Sequence, residues 1–250
     1  MYNSIGFLYN FNSAKTKRMN IIVTGAGKGI GYEIVKILCK HKQNHILAIS
    51  RKMNDLKDLV SDCHKQTPDS KVTPYEFDLN QFDFYPFIAQ RMEAILHKID
   101  IIIHNAGRLV NKPFSKIQQG DFDEVFNVNV KAPFFFTQAM LPLMNRGGHI
   151  VMISSMGGVQ GARKFEGLSA YSSSKGALSI LSECLAGELS EQDIFVNCLA
   201  LGGVQTKMFE KAFPGTKASQ SAQQMASFIA DFAVNGQKFF NGKVLEVATA

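Results

Sequence analysis

Residues 20–38, NIIVTGAGKGIGYEIVKIL, pass from an unbroken apolar run through four alternating glycines into a segment whose apolar residues recur at helical spacing. NIIVTG (20–25) reads as a strand buried on both faces, and Ile30, Ile34, Ile37 and Leu38 mark the helix that follows. Between them Gly25, Gly27, Gly29 and Gly31 remove the β-carbons that would keep a phosphate from the free N–H groups of a helix start. The turn does not fit GxxxxGK[ST], and Ile30 stands where GxGxxG would place its last glycine. A tight strand-to-helix connection also uses glycine, so the turn gains meaning only from its place in the whole chain.

That place follows from the pattern downstream. HILAIS (45–50), KVTPYEFD (71–78), DIIIHNAG (100–107), HIVMISS (149–155), DIFVNCLALGG (193–203) and KVLEV (243–247) read as further strands. Amphipathic segments separate them: Leu56, Leu59, Val60 and Cys63; Phe84, Phe87, Ile88, Ile95 and Leu96; a long stretch from about Asp121 to Asn145; and Ala177, Leu178, Ile180, Leu181 and Leu185. Apolar strands joined by helical crossovers form a mostly parallel sheet with helices on both faces, a single doubly wound α/β domain. Residues 19–250 are assigned to it, whereas residues 1–18, MYNSIGFLYNFNSAKTKR, fit no element. They read as a disordered extension or an upstream start before Met19, because their basic residues come last instead of leading an apolar core.

Composition narrows the class. The 250 residues are 46% hydrophobic and 19% charged, and no apolar run approaches a membrane span. The net charge of +6 is spread along the chain without a basic stripe, which argues against nucleic acid. Cys39, Cys63, Cys184 and Cys198 lack CxxC spacing and lie in apolar-periodic segments, as expected of packed thiols in a reducing cytoplasm. No histidine pattern suggests a metal site.

Ligands of doubly wound sheets bind beyond the carboxyl ends of the strands. At those ends stand the glycine turn, Ser50-Arg51-Lys52, Asp78-Leu79, Asn105-Ala106-Gly107, Ser154-Ser155 and Gly202 through Thr206. In a dinucleotide site an acidic residue about 20 positions past the turn holds the ribose 2′-hydroxyl, and an arginine there accepts a 2′-phosphate. Gly31 is followed 19 residues later by Ser50, then Arg51 and Lys52, with no carboxylate, and Lys28 adds charge within the turn. This predicts NADP(H) in preference to NAD(H).

LSAYSSSKGAL (168–178) sets Tyr171 and Lys175 one helical turn apart. Taken with TGAGKGIG, HNAG and the order of these motifs along the sheet, YSSSK resembles the signature of the short-chain dehydrogenase/reductase family, a Rossmann-like fold, from Met19 to the C-terminus. The resemblance implies a catalytic set of Asn129, Ser155, Tyr171 and Lys175. It also implies cofactor contacts from Gly25, Gly27, Lys28, Gly29, Ile30, Gly31, Ser50, Arg51, Asp78, Leu79, Asn105, Ala106, Gly107, Tyr171, Lys175, Gly202, Val204 and Thr206. Tyr171 would exchange a proton with a carbonyl or alcohol while the nicotinamide exchanges hydride. An isolated phenol has a pKa of about 10, which a neighbouring ammonium and the cofactor's positive ring are expected to lower. Ser155 would orient the carbonyl, and Asn129 would bind a water linking Lys175 to solvent. The family also implies a homodimer or homotetramer pairing through the helices that hold Asn129 and Tyr171, where Phe134 to Phe136 exceed one buried stripe.

Three features depart from the family's pattern. His104 replaces its usual asparagine, Leu201-Gly202 replaces its usual Pro-Gly, and Tyr171 follows Ser155 by 16 positions, a longer interval than usual with the extra length in ARKFEG. That insertion is expected beside the substrate cleft. Ser155 is chosen over Ser154 because it opens a Ser-x-x-Gly stretch. Met208, Phe209 and Phe213 suit an apolar substrate, Phe228, Ile229 and Phe232 are expected to pack on the sheet, and Arg163, Lys164, Lys207 and Lys211 leave room for an anion. A noncatalytic NADP(H)-binding sensor is the alternative on such a fold; it would not need the four catalytic side chains together.

Overall fold

A computed structural model describes residues 18–248; the expectation for the N-terminal extension lies outside them apart from Arg18. The elements run β1 (Asn20–Thr24), α1 (Gly29–Leu38), β2 (His45–Ser50), α2 (Met53–Gln66), β3 (Lys71–Glu76), α3 (Tyr85–Leu96), β4 (Ile99–His104), α4 (Gln119–Phe126), α5 (Ala132–Met140) and β5 (Met144–Ser155). They continue with α6 (Ser169–Glu188), β6 (Ile194–Leu201), β7 (Val204–Gln205), α7 (Lys207–Ala212), β8 (Gln220–Ser221), α8 (Ala222–Asn235) and β9 (Val244–Val247). Seven strands form one parallel sheet in the order β3-β2-β1-β4-β5-β6-β9. The chain turns from one half of the sheet to the other between β1 and β4, which opens a crevice at their carboxyl ends.

Alternate side chains of each central strand enter different cores, as burial on both faces requires. Ile21, Val23, Ile101 and Ile103 meet Ile34 and Leu38 of α1, Leu59 of α2 and Ile229 of α8. Ile22, Ile102 and Ile150 meet Tyr85 and Met92 of α3, Phe136 of α5 and Leu178 of α6.

The structure corrects several sequence expectations. Periodicity places Phe84 and Phe87 with the buried face of α3, yet both are exposed, and Tyr85, Ile88, Met92 and Leu96 face the sheet. Ile180 and Phe228 are likewise exposed, whereas Ile229 and Phe232 are buried. Cys184 is exposed while the other three thiols are buried. Strand β5 begins earlier than His149: Met144 pairs with Ile99 and His149 with Ile101, a bulge against β4, while Gly148 already pairs with Ile194 of β6.

Candidate active site

The glycine turn lies at the crevice. Gly25 and Gly29 have φ of +68° and +59°, in the left-handed region, so side chains there would be strained. A β-carbon on Gly27 would lie 2.5 Å from Ser50 Oγ, and one on Gly31 would run into Gly25 O and Asn105 Nδ2. Lys28 precedes α1 and supplies no side-chain cap, leaving the helix's first N–H groups for a ligand. Ile30 is partly buried against the core. Thr206 closes the turn from the far side, its methyl 3.6 Å from a β-carbon built on Gly29.

The neighbouring strand ends are tied to that turn. Asn105 Nδ2 donates to Thr24 O and Gly25 O at 3.1 and 3.2 Å, and Ala106 N donates to Thr24 Oγ1 at 3.1 Å. Thr24 escaped the sequence reading because a strand threonine carries no motif of its own. Arg51 is exposed at the end of β2, as a group meeting a phosphate must be. Asp78 Oδ1 accepts from Asn80 N at 3.0 Å. Leu79 and Val204 bury their side chains, so each offers only main-chain groups. Gly202 donates its N–H to Val247 O at 2.9 Å and lies where a β-carbon would be 2.9 Å from Ala248 Cβ. The glycine turn and the uncapped start of α1 fit the phosphates of a dinucleotide.

Beyond the cradle, Asn129, Ser155, Tyr171 and Lys175 come together. Asn129 is fully buried in a π-helical turn, Asn127–Lys131, joining α4 to α5. Such turns redirect one side chain out of a helix's regular sequence of faces. Its Oδ1 accepts from Arg108 N at 2.7 Å, and its Nδ2 donates to Arg108 O and to Ser174 Oγ, both at 2.9 Å. Both amide hydrogens are therefore committed, so the water expected at Asn129 has no side-chain N–H to accept. Arg108 and Ser174 are the partners the sequence did not announce. Gly107 lies where Asn129 Oδ1 and Lys175 Nζ converge, 3.5 and 3.6 Å from its built β-carbon.

Lys175 is 3% exposed and donates from Nζ to Ile153 O at 2.7 Å. Burial pushes its ammonium down to about 8. The ammonium lies 5.9 Å from the centre of the Tyr171 ring. Burial holds the Tyr171 phenol above its ordinary value, and the neighbouring Ser155 side chain pulls it the other way by less. The expected lowering counts on the cofactor's positive ring as well as the ammonium one turn away; in the protein alone burial dominates. Ser155 Oγ also accepts from Gly157 N at 3.2 Å. Ser154 is consumed differently, buried with its hydroxyl donating to Lys175 O at 2.8 Å, where it fastens β5 to α6.

The insertion after Ser155 meets the loops after β4 and β6. Lys112 N donates to Gly167 O at 3.1 Å, Asn111 Nδ2 donates to Ala212 O at 2.8 Å, and the rings of Phe165 and Phe213 lie 5.2 Å apart. A separate cavity of about 940 Å³ borders Ser172, Gly176 and Ile180 on another face of α6. Tyr171, Ser155 and Lys175 do not line it. Among the described residues no cluster of three or more His, Cys, Asp or Glu could hold a metal, and no helix is long and apolar enough to cross a membrane.

The family model of the short chain dehydrogenases matches residues 19–217. The chain belongs to the short-chain dehydrogenase/reductase family. It is accordingly an NAD(P)-dependent oxidoreductase. This dehydrogenase/reductase is 30% identical over 240 residues to a nodulation protein G of a Rhizobium species, covering 90% of this chain and 94% of that protein. It is 30% identical over 194 residues to a hydroxynaphthalene reductase-like protein of Metarhizium anisopliae, covering 76% and 69% of the two chains. A Shigella flexneri protein described as a short chain dehydrogenase, solved in complex with NADP, superposes with a TM-score of 0.81 at 27% identity, over 91% of this chain and 96% of that one.

Proposed function

We propose that the chain is an NADP(H)-dependent reductase that interconverts a carbonyl and a secondary alcohol, with Tyr171 as proton donor and acceptor. The observation that carries this reading is the buried Lys175 ammonium 5.9 Å from the Tyr171 ring, beside the glycine turn at the strand ends. Exposed Arg51 and Lys28, with no carboxylate at positions 50–52, favour the phosphorylated cofactor, and the NADP bound by the Shigella relative is in keeping with it.

The bound nicotinamide would supply hydride to the carbonyl carbon. Ser155 would hold the carbonyl oxygen, and Tyr171 OH would donate its proton to that oxygen as the alcohol forms. A phenol raised by burial is protonated at neutral pH, so the resting side chain is an acid first and is suited to reduction. Lys175, cationic below about 8, would favour the phenolate left after transfer and hold the nicotinamide ribose. Asn129 would act by positioning: it locks the main chain of Arg108 beside Gly107 and holds the Tyr171–Lys175 helix through Ser174.

The three buried free thiols suit a reducing cytoplasm. Exposed Phe134 and Phe135 on α5 support a homodimer or homotetramer; a monomer by light scattering at micromolar concentration would overturn that. The test of function is a titration with NADPH and NADH, read by nicotinamide emission against a chain without tryptophan, followed by turnover of Tyr171→Phe. Tight NADPH binding by both proteins, with turnover of the variant down by roughly a hundredfold or more, is expected. NADPH binding with unaltered turnover would refute the assignment of Tyr171, and binding without any turnover would favour a cofactor sensor.

A further inference from the structure

The last three residues of β5 each meet the turn of α6 that runs from Tyr171 to Lys175. Ile153 O accepts from Lys175 Nζ at 2.7 Å, Ser154 Oγ donates to Lys175 O at 2.8 Å, and the Ser155 side chain neighbours the Tyr171 phenol. Lys175 is therefore held at both ends, by its head group and by its own carbonyl. A second hydroxyl reaches that carbonyl from one turn along the helix. Ser179 Oγ is 3.1 Å from Lys175 O and 3.2 Å from Ser154 Oγ, so its single proton can serve either. Strand and helix also approach closely here: a β-carbon on Gly158, in the turn after β5, would lie 2.6 Å from both the Lys175 carbonyl carbon and Gly176 N.

We infer that Ser154 and Ser179 are positioning residues, a pair of interchangeable hydroxyls on the Lys175 carbonyl that sets where the Lys175 ammonium stands beside Tyr171 and the cofactor; the inference rests on the reductase reading. The need for them follows from the composition of the helix face. Here α6 buries Ser174, Lys175, Ser179 and Ser182, so few apolar side chains interlock to fix the helix along its own axis. A shift of about 1 Å at a reacting group is costly, and the Ile153 contact under Lys175 Nζ would break with it. Either hydroxyl alone can satisfy the carbonyl. Without Ser154 the Ser179 proton turns to Lys175 O, and without Ser179 the 2.8 Å bond from Ser154 still stands. Ser182 is equally buried but donates within the helix to Ser179 O at 2.7 Å, which makes it the control for a packing effect alone.

The test compares the full chain with Ser154→Ala, Ser179→Ala, the two together, and Ser182→Ala in two measurements. The first is the urea midpoint at about pH 8 and about pH 10.5, between which a buried Lys175 makes the native state more stable as pH rises; it needs neither cofactor nor turnover. The second is NADPH affinity, read by nicotinamide emission. The double variant should lose that rise as the ammonium regains water, and should bind NADPH about tenfold more weakly, the equivalent of one hydrogen bond, whereas each single variant and Ser182→Ala stay within about twofold of wild type. A wild-type slope or wild-type NADPH affinity in the double variant, an equal loss in Ser182→Ala, or single losses that multiply to the double would overturn the pairing. So would a change of slope that the two alanines still produce in a Lys175→Met background, because it would then come from Cys198 of β6, a titratable group near the ammonium. Failure of the wild type to bind NADPH would sink the reductase reading, and the slopes would then decide the pairing by themselves.

Discussion

Replacement of Lys175 by methionine should make the protein more stable and inactive. Lys175 is 3% exposed, and its pKa falls from 10.5 to about 8 because burial disfavours the ammonium. At about 1.4 kcal/mol per tenfold change in proton affinity, keeping the charge in the native state costs about 3 kcal/mol at neutral pH. Methionine keeps the length and apolar volume of the stem without the charge. It leaves the Ile153 carbonyl without its donor at 2.7 Å, a loss of about 1 kcal/mol. Lys175→Met should therefore unfold about 2 kcal/mol less readily than wild type near pH 7. Between about 8 and 10.5 the unfolded chain keeps a proton that the native lysine has released, so wild-type stability rises with pH across that window. The variant lacks this contribution. Urea denaturation at about pH 7 and about pH 10, with m-values checked for constancy, measures both effects. A variant less stable than wild type at neutral pH, or pH slopes that are the same for the two proteins, would refute the reasoning.

Arg51→Ala should weaken NADPH severalfold or more and leave NADH nearly unchanged, as seen by titration of nicotinamide emission; equal losses would mean that Arg51 does not meet the 2′-phosphate. Acid should destabilise the fold through its buried histidines, His104 and His149 among them. His104 donates or accepts at Thr137 Oγ1 (2.9 Å) and is held neutral with its pKa near 3, and His149 is held near 4, in both cases by burial. Their contribution is complete above the unfolded value of 6.5 and is lost as pH falls towards the folded values, by about 3 kcal/mol per pH unit for the two together. His104→Asn should make the fall in the urea midpoint between about pH 6 and about pH 5 shallower, and an unchanged slope would exclude His104 as a source.

The parts of the fold written in side chains were legible. Continuous apolar runs announced the strands because both sheet faces are covered, and the glycine spacing announced the turn because only glycine tolerates the approach of Ser50, Asn105 and the Gly25 carbonyl. Helical periodicity did less well, since it groups residues on a face without saying which face meets the sheet. On α6 the buried face includes Ser174, Lys175, Ser179 and Ser182, so the apolar pattern alone pointed towards exposed Ile180. That helix packs through hydroxyls: Ser154 and Ser179 both donate to the Lys175 carbonyl.

The site was legible to the same extent. Tyr171, Lys175, Ser155 and Asn129 are letters in a motif, but what fixes their chemistry is largely main chain: the Ile153 carbonyl under Lys175 and the Arg108 peptide around Asn129. A backbone group is present at every residue, so no sequence pattern distinguishes the one that matters. The same blindness applies to the tyrosine. Spacing reports that an ammonium is one turn away, whereas the sign of the shift depends on how much water the fold removes from the phenol, which only the packed structure sets.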